Sequence, residues 1–430
     1  MAKREDINTC LQTLFGLRRF GIKLGLATIR RMLAGLGNPH RRYKTVHIAG
    51  TNGKGSVASS LATIFMRSGY RVGLYTSPHL MRFNERIQVN GEQITDEEIL
   101  ALYRRVRRVV PAGREPTFFE FTTAMAFDAF ARSNVDWAVI ETGMGGRMDA
   151  TNVITPELAI VTNISLEHRE YLGATIPRIA FEKAGIIKRR RPVVTGIRQA
   201  SAWAVLNDAA RNKSAPVYRL GRDFRFRRTS DGSFTYRGIR HDWTDMATGL
   251  AGDYQTINAA LVLAACEILS PKAPRLTLQG IRKGLLTTRW PGRLEIVSQK
   301  PLLMLDGAHN LDAAKQLSRH LRTHFKDRSI TMVLGILDDK PYATMLKLLA
   351  PMARRVIATQ AQTGRALPAE KIAATAQTLT DDVSVIRNVG DALAYAMQTA
   401  APESVILVAG SLYVVGEAKA ALEQKTVQPG

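Results

Sequence analysis

HIAGTNGKGS, residues 47–56, joins the end of a strand pattern to the start of a helical one. Thr45–Ala49 is β-branched and apolar and reads as a buried strand. Val57–Arg67 carries the spacing of a helix. Gly50-Thr-Asn-Gly-Lys-Gly-Ser56 lies between them. A strand, a glycine-rich loop and a helix in this order form a phosphate site. The glycines let backbone N–H groups approach phosphate oxygens, the helix N-terminus favours negative charge, and Lys54 neutralises it. The commoner phosphate loop has Ser or Thr directly after the Lys and a longer run before it. Here Gly55 intervenes and the loop is shorter. A plain turn with one exposed lysine is the bland alternative. It does not account for three glycines, the lysine and both flanking elements at once.

Outward from this loop, short β-branched runs alternate with longer helical patterns. The expected strands are Thr45–Ala49, Val72–Tyr75, Trp137–Glu141, Leu158–Thr162 and Val193–Thr195. A second series follows: Leu302–Leu305, Ile330–Leu334, Arg355–Thr359 and Ser404–Ala409. Strands alternating with helices predict an α/β fold with mostly parallel sheets. Arg219–Asp245 is polar and alternating, and reads as a small antiparallel insertion. Trp290-Pro-Gly-Arg293 is a turn signal. The expected domains are 1–297 and 298–430.

The 430 residues carry 60 Lys and Arg against 37 Asp and Glu, a net charge of +23. Such a balance suits nucleic acid, membrane surfaces or anionic small molecules. The densest runs, Arg104–Arg108 and Lys188–Arg191, lack aromatic interleaving or a nucleic-acid motif, and read as solvated basic faces. No nucleic-acid partner is expected. Two cysteines, Cys10 and Cys266, cannot build a disulfide framework or a cysteine metal site, which suits a reducing compartment. The start, MAKREDINTC, has no apolar core, and Ile257–Leu269 is shorter than the roughly 20 residues of a membrane span. A cytoplasmic protein without a membrane partner is expected.

Further motifs occur in a fixed order: FGIKLGL (Phe20–Leu26), the loop itself, LYTSPHL (Leu74–Leu80), ERIQVNG (Glu85–Gly91) and PTFFEFTT (Pro116–Thr123). ETGMGGRMDATN (Glu141–Asn152), EKAGIIK (Glu182–Lys188), WPGR (Trp290–Arg293) and LDGAHN (Leu305–Asn310) follow. The ordered set resembles the folylpolyglutamate synthase / dihydrofolate synthase family of the Mur ligase superfamily, along most of the chain. The resemblance implies an N-terminal Mur-ligase-like ATPase domain and a C-terminal Rossmann-like domain for glutamate. It also implies a monomer using two Mg²⁺ ions, with ATP as co-substrate.

The resemblance maps the metal ligands onto Ser77, Glu141 and His168. Each follows an expected strand on the edge that carries the phosphate loop, where such sheets bind ligands. Lys183 matches a lysine that carries a carbamate in the family; the plain reading is a helix-face lysine paired with Glu182 or Glu170. Thr51, Asn52, Gly53, Lys54, Gly55 and Ser56 would hold ATP phosphates. Asn258 looks like the adenine-side residue, and Arg293 and Asp306 resemble further ATP contacts. The pterin-bearing substrate falls against Thr117, Phe118, Phe119 and Glu120, and against Met148, Asp149 and Ala150. Phe118 and Phe119 offer flat faces, while Glu120 and Asp149 offer acceptors. Met144 and Met148 replace leucines expected from the family, a change of packing more than chemistry. Thr142 stands where an apolar residue is more usual, and nothing in the sequence explains it. Asp306 and His309 would orient the incoming glutamate amine, and Ser411 is a candidate of the same kind or a turn cap.

The reaction implied is ATP-dependent ligation of L-glutamate to dihydropteroate and to tetrahydrofolates through an acyl phosphate. Three rivals share the phosphate loop. A peptidoglycan ligase would not carry PTFFEFTT and FGIKLGL. A nucleic-acid-dependent NTPase would show stimulation by DNA or RNA. A non-catalytic nucleotide-binding module would not need the strand-end metal set.

Overall fold

The computed structural model describes residues 6–17, 21 and 25–427. FGIKLGL therefore lies largely outside the described residues. The chain forms two compact units. The first comprises residues up to 79, 83–249 and 255–289; the second comprises 80–82, 250–254 and 290 onward.

The first unit is built on eight strands: β1 (Lys44–Ala49), β2 (Val72–Tyr75), β3 (Ile87–Val89), β4 (Glu92–Gln93), β5 (Trp137–Glu141), β6 (Leu158–Val161), β7 (Val193–Thr195) and β8 (Val217–Arg219). Their order is β4-β3-β2-β5-β1-β6-β7-β8. The pairs from β2 through to β8 are parallel, and β3 and β4 add an antiparallel edge. The central strands are buried along almost their whole length. Helices on both faces exclude water, which is why these strands read as continuous apolar runs without alternation. The helix Lys54–Arg67 starts on the phosphate loop and leaves β1.

The insertion is a three-stranded antiparallel sheet of β9 (Arg225–Arg228), β10 (Phe234–Arg237) and β11 (Asp242–Met246). It begins later than the expected Arg219, because Val217–Arg219 joins the main sheet as β8. Three half-buried residues at a sheet edge carry too little pattern to be read. The sheet is fastened by Glu267 in the helix Asp253–Leu269. This buried carboxylate accepts from the Tyr236 hydroxyl (2.6 Å) and from the backbone N–H groups of Ile239 (2.9 Å), Arg240 (3.0 Å) and His241 (2.8 Å). Glu267→Ala leaves four donors without their acceptor. It is expected to destabilise the first unit by about 3 kcal/mol or more, read as a lower urea midpoint.

The basic runs are mostly solvated, with Arg104, Arg107, Arg108, Arg189 and Arg190 exposed, and the remaining members are anchored. Arg105 donates twice to buried Asp128, at 2.7 and 3.2 Å. Lys188 donates to the Asn152 carbonyl (2.9 Å), and Arg191 pairs with Glu157 (2.6 Å).

The second unit holds six strands: β12 (Glu295–Gln299), β13 (Leu302–Asp306), β14 (Ile330–Leu334), β15 (Arg355–Ala358), β16 (Asp382–Val385) and β17 (Val405–Ala409). Their order is β12-β13-β17-β14-β15-β16, parallel except for β12 at one edge. β12 spans residue 297, where the sequence reading ends its first domain; an exposed edge strand gives no buried run to mark it. Among the described residues no helix is long and apolar enough to cross a membrane. Both cysteines are buried and unbridged.

Candidate active site

The phosphate loop is held in shape from the neighbouring strand end. Thr51 N–H donates to the Asn163 carbonyl (3.0 Å), Asn52 N–H to Asn163 Oδ1 (2.9 Å), and Thr162 Oγ1 to the Asn52 carbonyl (2.6 Å). Ser165 N–H donates to Thr51 Oγ1 (3.0 Å). Two glycines are required. Gly53 has φ +82° at the helix N-cap, and a Cβ there would lie 2.5 Å from Asn258 Oδ1. At Gly50 a Cβ would meet Thr162 Oγ1 at 1.8 Å. Gly53 accepts no side-chain cap, so the first turn at Lys54, Gly55 and Ser56 presents backbone N–H groups where an anion is favoured.

Asn258 is thus packed directly on this loop. Its Nδ2 donates to Gln255 Oε1 (2.8 Å), and Gln255 Nε2 donates to Ser56 Oγ (3.2 Å). One helix end carries both contacts, so the adenine-side candidate and the phosphate loop form one hydrogen-bonded unit.

Lys54 Nζ donates to its own loop at the Thr51 carbonyl (3.2 Å) and lies 3.9 Å from Glu141 Oε1. Glu141 ends β5 and is buried. Its Oε2 accepts the Ser77 backbone N–H at 3.2 Å. The structure therefore brings Lys54, Glu141 and Ser77 together. His168 is exposed on the turn after β6, at φ +50°, where its carbonyl starts the short helix Arg169–Leu172. Left-handed backbone is uncommon for a non-glycine residue. Among the described residues no three His, Cys, Asp or Glu side chains gather as a metal cluster; the expected set contains only two such groups, with Ser77 as the third.

Lys183, in the helix Ile176–Ala184, is 4% exposed and donates to the Gly50 carbonyl at 2.8 Å. Burial, assisted by the positive charge of Lys54, lowers its amine to about 7. It thus faces the loop, and does not pair with Glu182, which instead accepts from Arg147 (2.9 Å).

Thr117 and Glu120 close a reciprocal cap on the helix Phe118–Arg132, at 2.8 and 3.2 Å. That cap uses Glu120 Oε2; Oε1 is buried with no hydrogen-bond partner among the described residues. Phe118 stacks on Phe15 (5.7 Å), meets Phe83 edge-on (6.3 Å) and has Arg86 over its ring (5.1 Å). Phe119 is half-buried, stacks on Tyr75 (6.0 Å) and covers Gly143. Asp149 is buried, and burial raises its carboxyl. Its oxygens accept from Met144 N–H (2.9 Å) and Thr151 N–H (3.0 Å), so it shapes the glycine-rich turn. Met148 is half-buried and Ala150 buried on the same turn. Thr142 Oγ1 is buried without a partner among the described residues.

In the second unit, both oxygens of buried Asp306 accept backbone N–H groups, from Leu294 and Ala308 (each 2.9 Å). Burial raises its carboxyl while the Arg293 charge opposes this. Arg293 borders Gly307, where a Cβ would lie 2.6 Å from Nη1. His309 Nδ1 faces the Gly307 carbonyl at 2.8 Å, so that nitrogen carries the proton there. Ser411 is buried and its Oγ accepts Val414 N–H (3.2 Å), capping the last helix.

Several residues in this arrangement are not among the sequence candidates: Thr162, Asn163, Ser165 and Gln255 hold the loop, and Tyr254 is a buried phenol whose titration is pushed up by burial and by the charge of Asp306. Thr162 ends an expected strand on the loop's own edge, and Asn163 and Ser165 follow it, which is a usable signal; nothing local marks the other two.

The Mur ligase middle domain matches residues 48–266, and the Mur ligase glutamate ligase domain matches residues 292–412. The dihydrofolate synthase/folylpolyglutamate synthase of Bacillus subtilis is 36% identical over 95% of this chain and 97% of its own. The structure of Escherichia coli FolC in complex with DHPP and ADP superposes with a TM-score of 0.90 at 29% identity, covering 97% of this chain and 98% of that one. The bifunctional enzyme of Yersinia pestis, complexed with AMPPNP and Mn ion, gives 0.88 at 29%, covering 98% of each chain. With both its units matched and a relative aligned from end to end, this chain belongs to the dihydrofolate synthase/folylpolyglutamate synthase family of Mur ligases.

Proposed function

We propose that this protein ligates L-glutamate to dihydropteroate and to tetrahydrofolates at the expense of ATP. The observation that carries the reading is the contact of Lys54 and Glu141 at the mouth of the phosphate loop, in a chain of this family. The loop N–H groups and Lys54 receive the phosphates of ATP. The substrate carboxylate attacks the γ-phosphorus, ADP leaves, and an acyl phosphate forms. The α-amine of glutamate attacks that carbonyl, phosphate leaves with the C–O bond, and an amide remains. Lys54 stabilises charge on the transferring group, and held substrates avoid the entropy of meeting. Asn258 orients the adenine, and Arg293 meets phosphate.

Glu141 with Ser77 and His168 is our assignment for Mg²⁺. A buried strand-end carboxylate, joined to Ser77 through its backbone N–H, suits a hard cation, and an imidazole would broaden tolerance towards Mn²⁺. When bound, such ions neutralise phosphate oxygens. Glu120 Oε1 is the acceptor assigned to the pterin amino group, with Phe119 as its flat neighbour; Thr117, Phe118, Met148, Asp149 and Ala150 shape that place. Asp306, His309 and Ser411 position glutamate. We assign residues 1–297 to ATP binding and 298–430 to glutamate, and take the enzyme to be a cytoplasmic monomer. Phosphate release with ATP, Mg²⁺ and glutamate tests the activity. Turnover of dihydropteroate and of tetrahydrofolate is expected; turnover of UDP-muramoyl substrates alone, or stimulation by DNA, would replace the reading.

Lys183 is our carbamate carrier. An amine near 7 is substantially neutral at physiological pH and can take up CO₂, and the carbamate keeps one N–H for Gly50. Lys183→Ala is expected to lose most activity and recover part of it with formate or acetate. The folded-state value lies below the 10.5 of an ordinary lysine, so the fold is penalised fully below pH about 7 and gains stability as pH rises towards 10.5. In CO₂-free buffer, the stability advantage of Lys183→Met over the wild type should therefore shrink between pH 7 and pH 10, as read by thermal melts. A constant difference would show that the amine is not shifted.

A further inference from the structure

The sheet of the first unit has a second concave place at its opposite edge. A cleft of about 720 Å³ opens where β1 and β5 begin and where the chain turns into β6. His40, Arg41, Arg42 and Lys44 line it, together with Asp136 and Glu157. The phosphate loop is at the other end of the same strands, because β1 is six residues long, a span of about 20 Å. The cleft is therefore separate from the site described above.

Its charge is one-sided. Glu157 is already paired twice, with Arg191 (2.6 Å) and with Lys272. Asp136 accepts Arg71 N–H at 2.8 Å and lies 4.0 Å from Arg275. Both acids are thus compensated by residues that do not line the cleft. Arg41 and Arg42 are exposed and make no ion pair among the described residues. Lys44 donates only to a carbonyl, that of Lys272 (2.8 Å), and lies over the Trp137 ring. Three positive charges consequently face the cleft uncompensated.

His40 adds an independent observation. Its ring lines the cleft and packs on Phe127, yet Nδ1 is buried with no partner among the described residues. Buried polar atoms are nearly always satisfied, and an exception asks for a bound group or water. Burial and the charge of Arg41 lower this histidine to about 4, so it contributes a polar ring and not another cation.

We propose that this cleft is a second binding site, for a small polyanion bearing several carboxylate or phosphate oxygens. Guanidinium groups match both oxyanions with paired hydrogen bonds. The volume is that of a ligand pocket, far larger than one oxyanion needs. A linear polyanion presenting charges in series fits the three basic positions 41, 42 and 44 better than a single phosphate does. Two sources share this chemistry: condensed phosphates and γ-linked oligoglutamate. The second source rests on the ligase reading; the site does not.

The test is isothermal titration of the full-length protein with tripolyphosphate and, separately, with a γ-linked triglutamate peptide. Wild type, Arg41→Ala/Arg42→Ala and Lys54→Ala are compared. The arginines are exposed, so the double variant is expected to fold, which its unchanged ligase activity would verify. Binding should weaken about tenfold or more in the arginine variant and persist in Lys54→Ala. The probe that binds in this pattern identifies the source. Binding lost in Lys54→Ala and kept in the arginine variant would place the anion on the phosphate loop and overturn the proposal. So would absence of binding by either probe. Binding is scored without turnover, so this idea and the ligase reading can fail separately.

Discussion

Lys54→Ala is expected to reduce kcat for glutamate ligation by about 10²–10³, with a much smaller change in thermal stability. The asymmetry follows from where the ammonium sits. Among the described residues its one hydrogen bond is to Thr51 O in its own loop, and its distance to Glu141 is 3.9 Å in a partly exposed place. Little of the fold depends on it. The phosphoryl group in transfer, by contrast, carries charge that the loop N–H groups alone cannot balance. Lys54→Arg should recover little, because a planar fork needs more room than a compact ammonium beside the glycines. Single-turnover phosphate release separates the two effects: chemistry slows while ADP still binds. Near-normal ligation by the alanine variant would end the reading of this loop.

Glu141→Gln should be about as costly, in a different quantity. The substitution keeps size but removes the charge that faces both the Ser77 N–H and Lys54. The Mg²⁺ concentration for half-maximal rate is expected to rise by about 10–100-fold, and kcat at saturating Mg²⁺ should remain low. The amide can still accept from Ser77, so the strand end and its turn should stay in place. An unchanged metal requirement would remove Glu141 from the ligand set while leaving the phosphate loop untouched.

Much of the first sheet was legible because its strands are buried on both faces. Val72–Tyr75, Trp137–Glu141 and Val193–Thr195 have in the structure the bounds read from their residues, as does Ile330–Leu334 in the second unit. The strands that escaped notice, such as β3, β8, β12 and β16, are short, polar or half-exposed, and lie at or next to a sheet edge. Edge strands are specified by hydrogen bonding to a neighbour, which leaves no periodicity in their own residues. The site divides in the same way. Lys54 could be named because it lies in a glycine-rich loop after a recognisable strand, whereas Glu141 and Ser77 came from the family resemblance, which set them at and just past strand ends. Gln255 could not, since its contact with Ser56 spans 199 residues of sequence. Phe118 and Asp149 show a further limit. Residue type advertises a flat face or an acceptor, whereas packing decides whether neighbours have already taken it, as Phe15, Arg86, Met144 and Thr151 have here.

The fastening of the small antiparallel sheet bears on how this enzyme could be trimmed. Residues 225–246 look like a detachable module, since their three strands form a sheet of their own. The carboxylate of Glu267 makes them inseparable from the helix that also carries Gln255 and Asn258. Deleting the module alone would strand a buried negative charge on the helix that braces the phosphate loop. A minimal version of the enzyme has to change Glu267 to an apolar residue in the same step, and the same pairing would have to be respected by any natural lineage that lost the insertion.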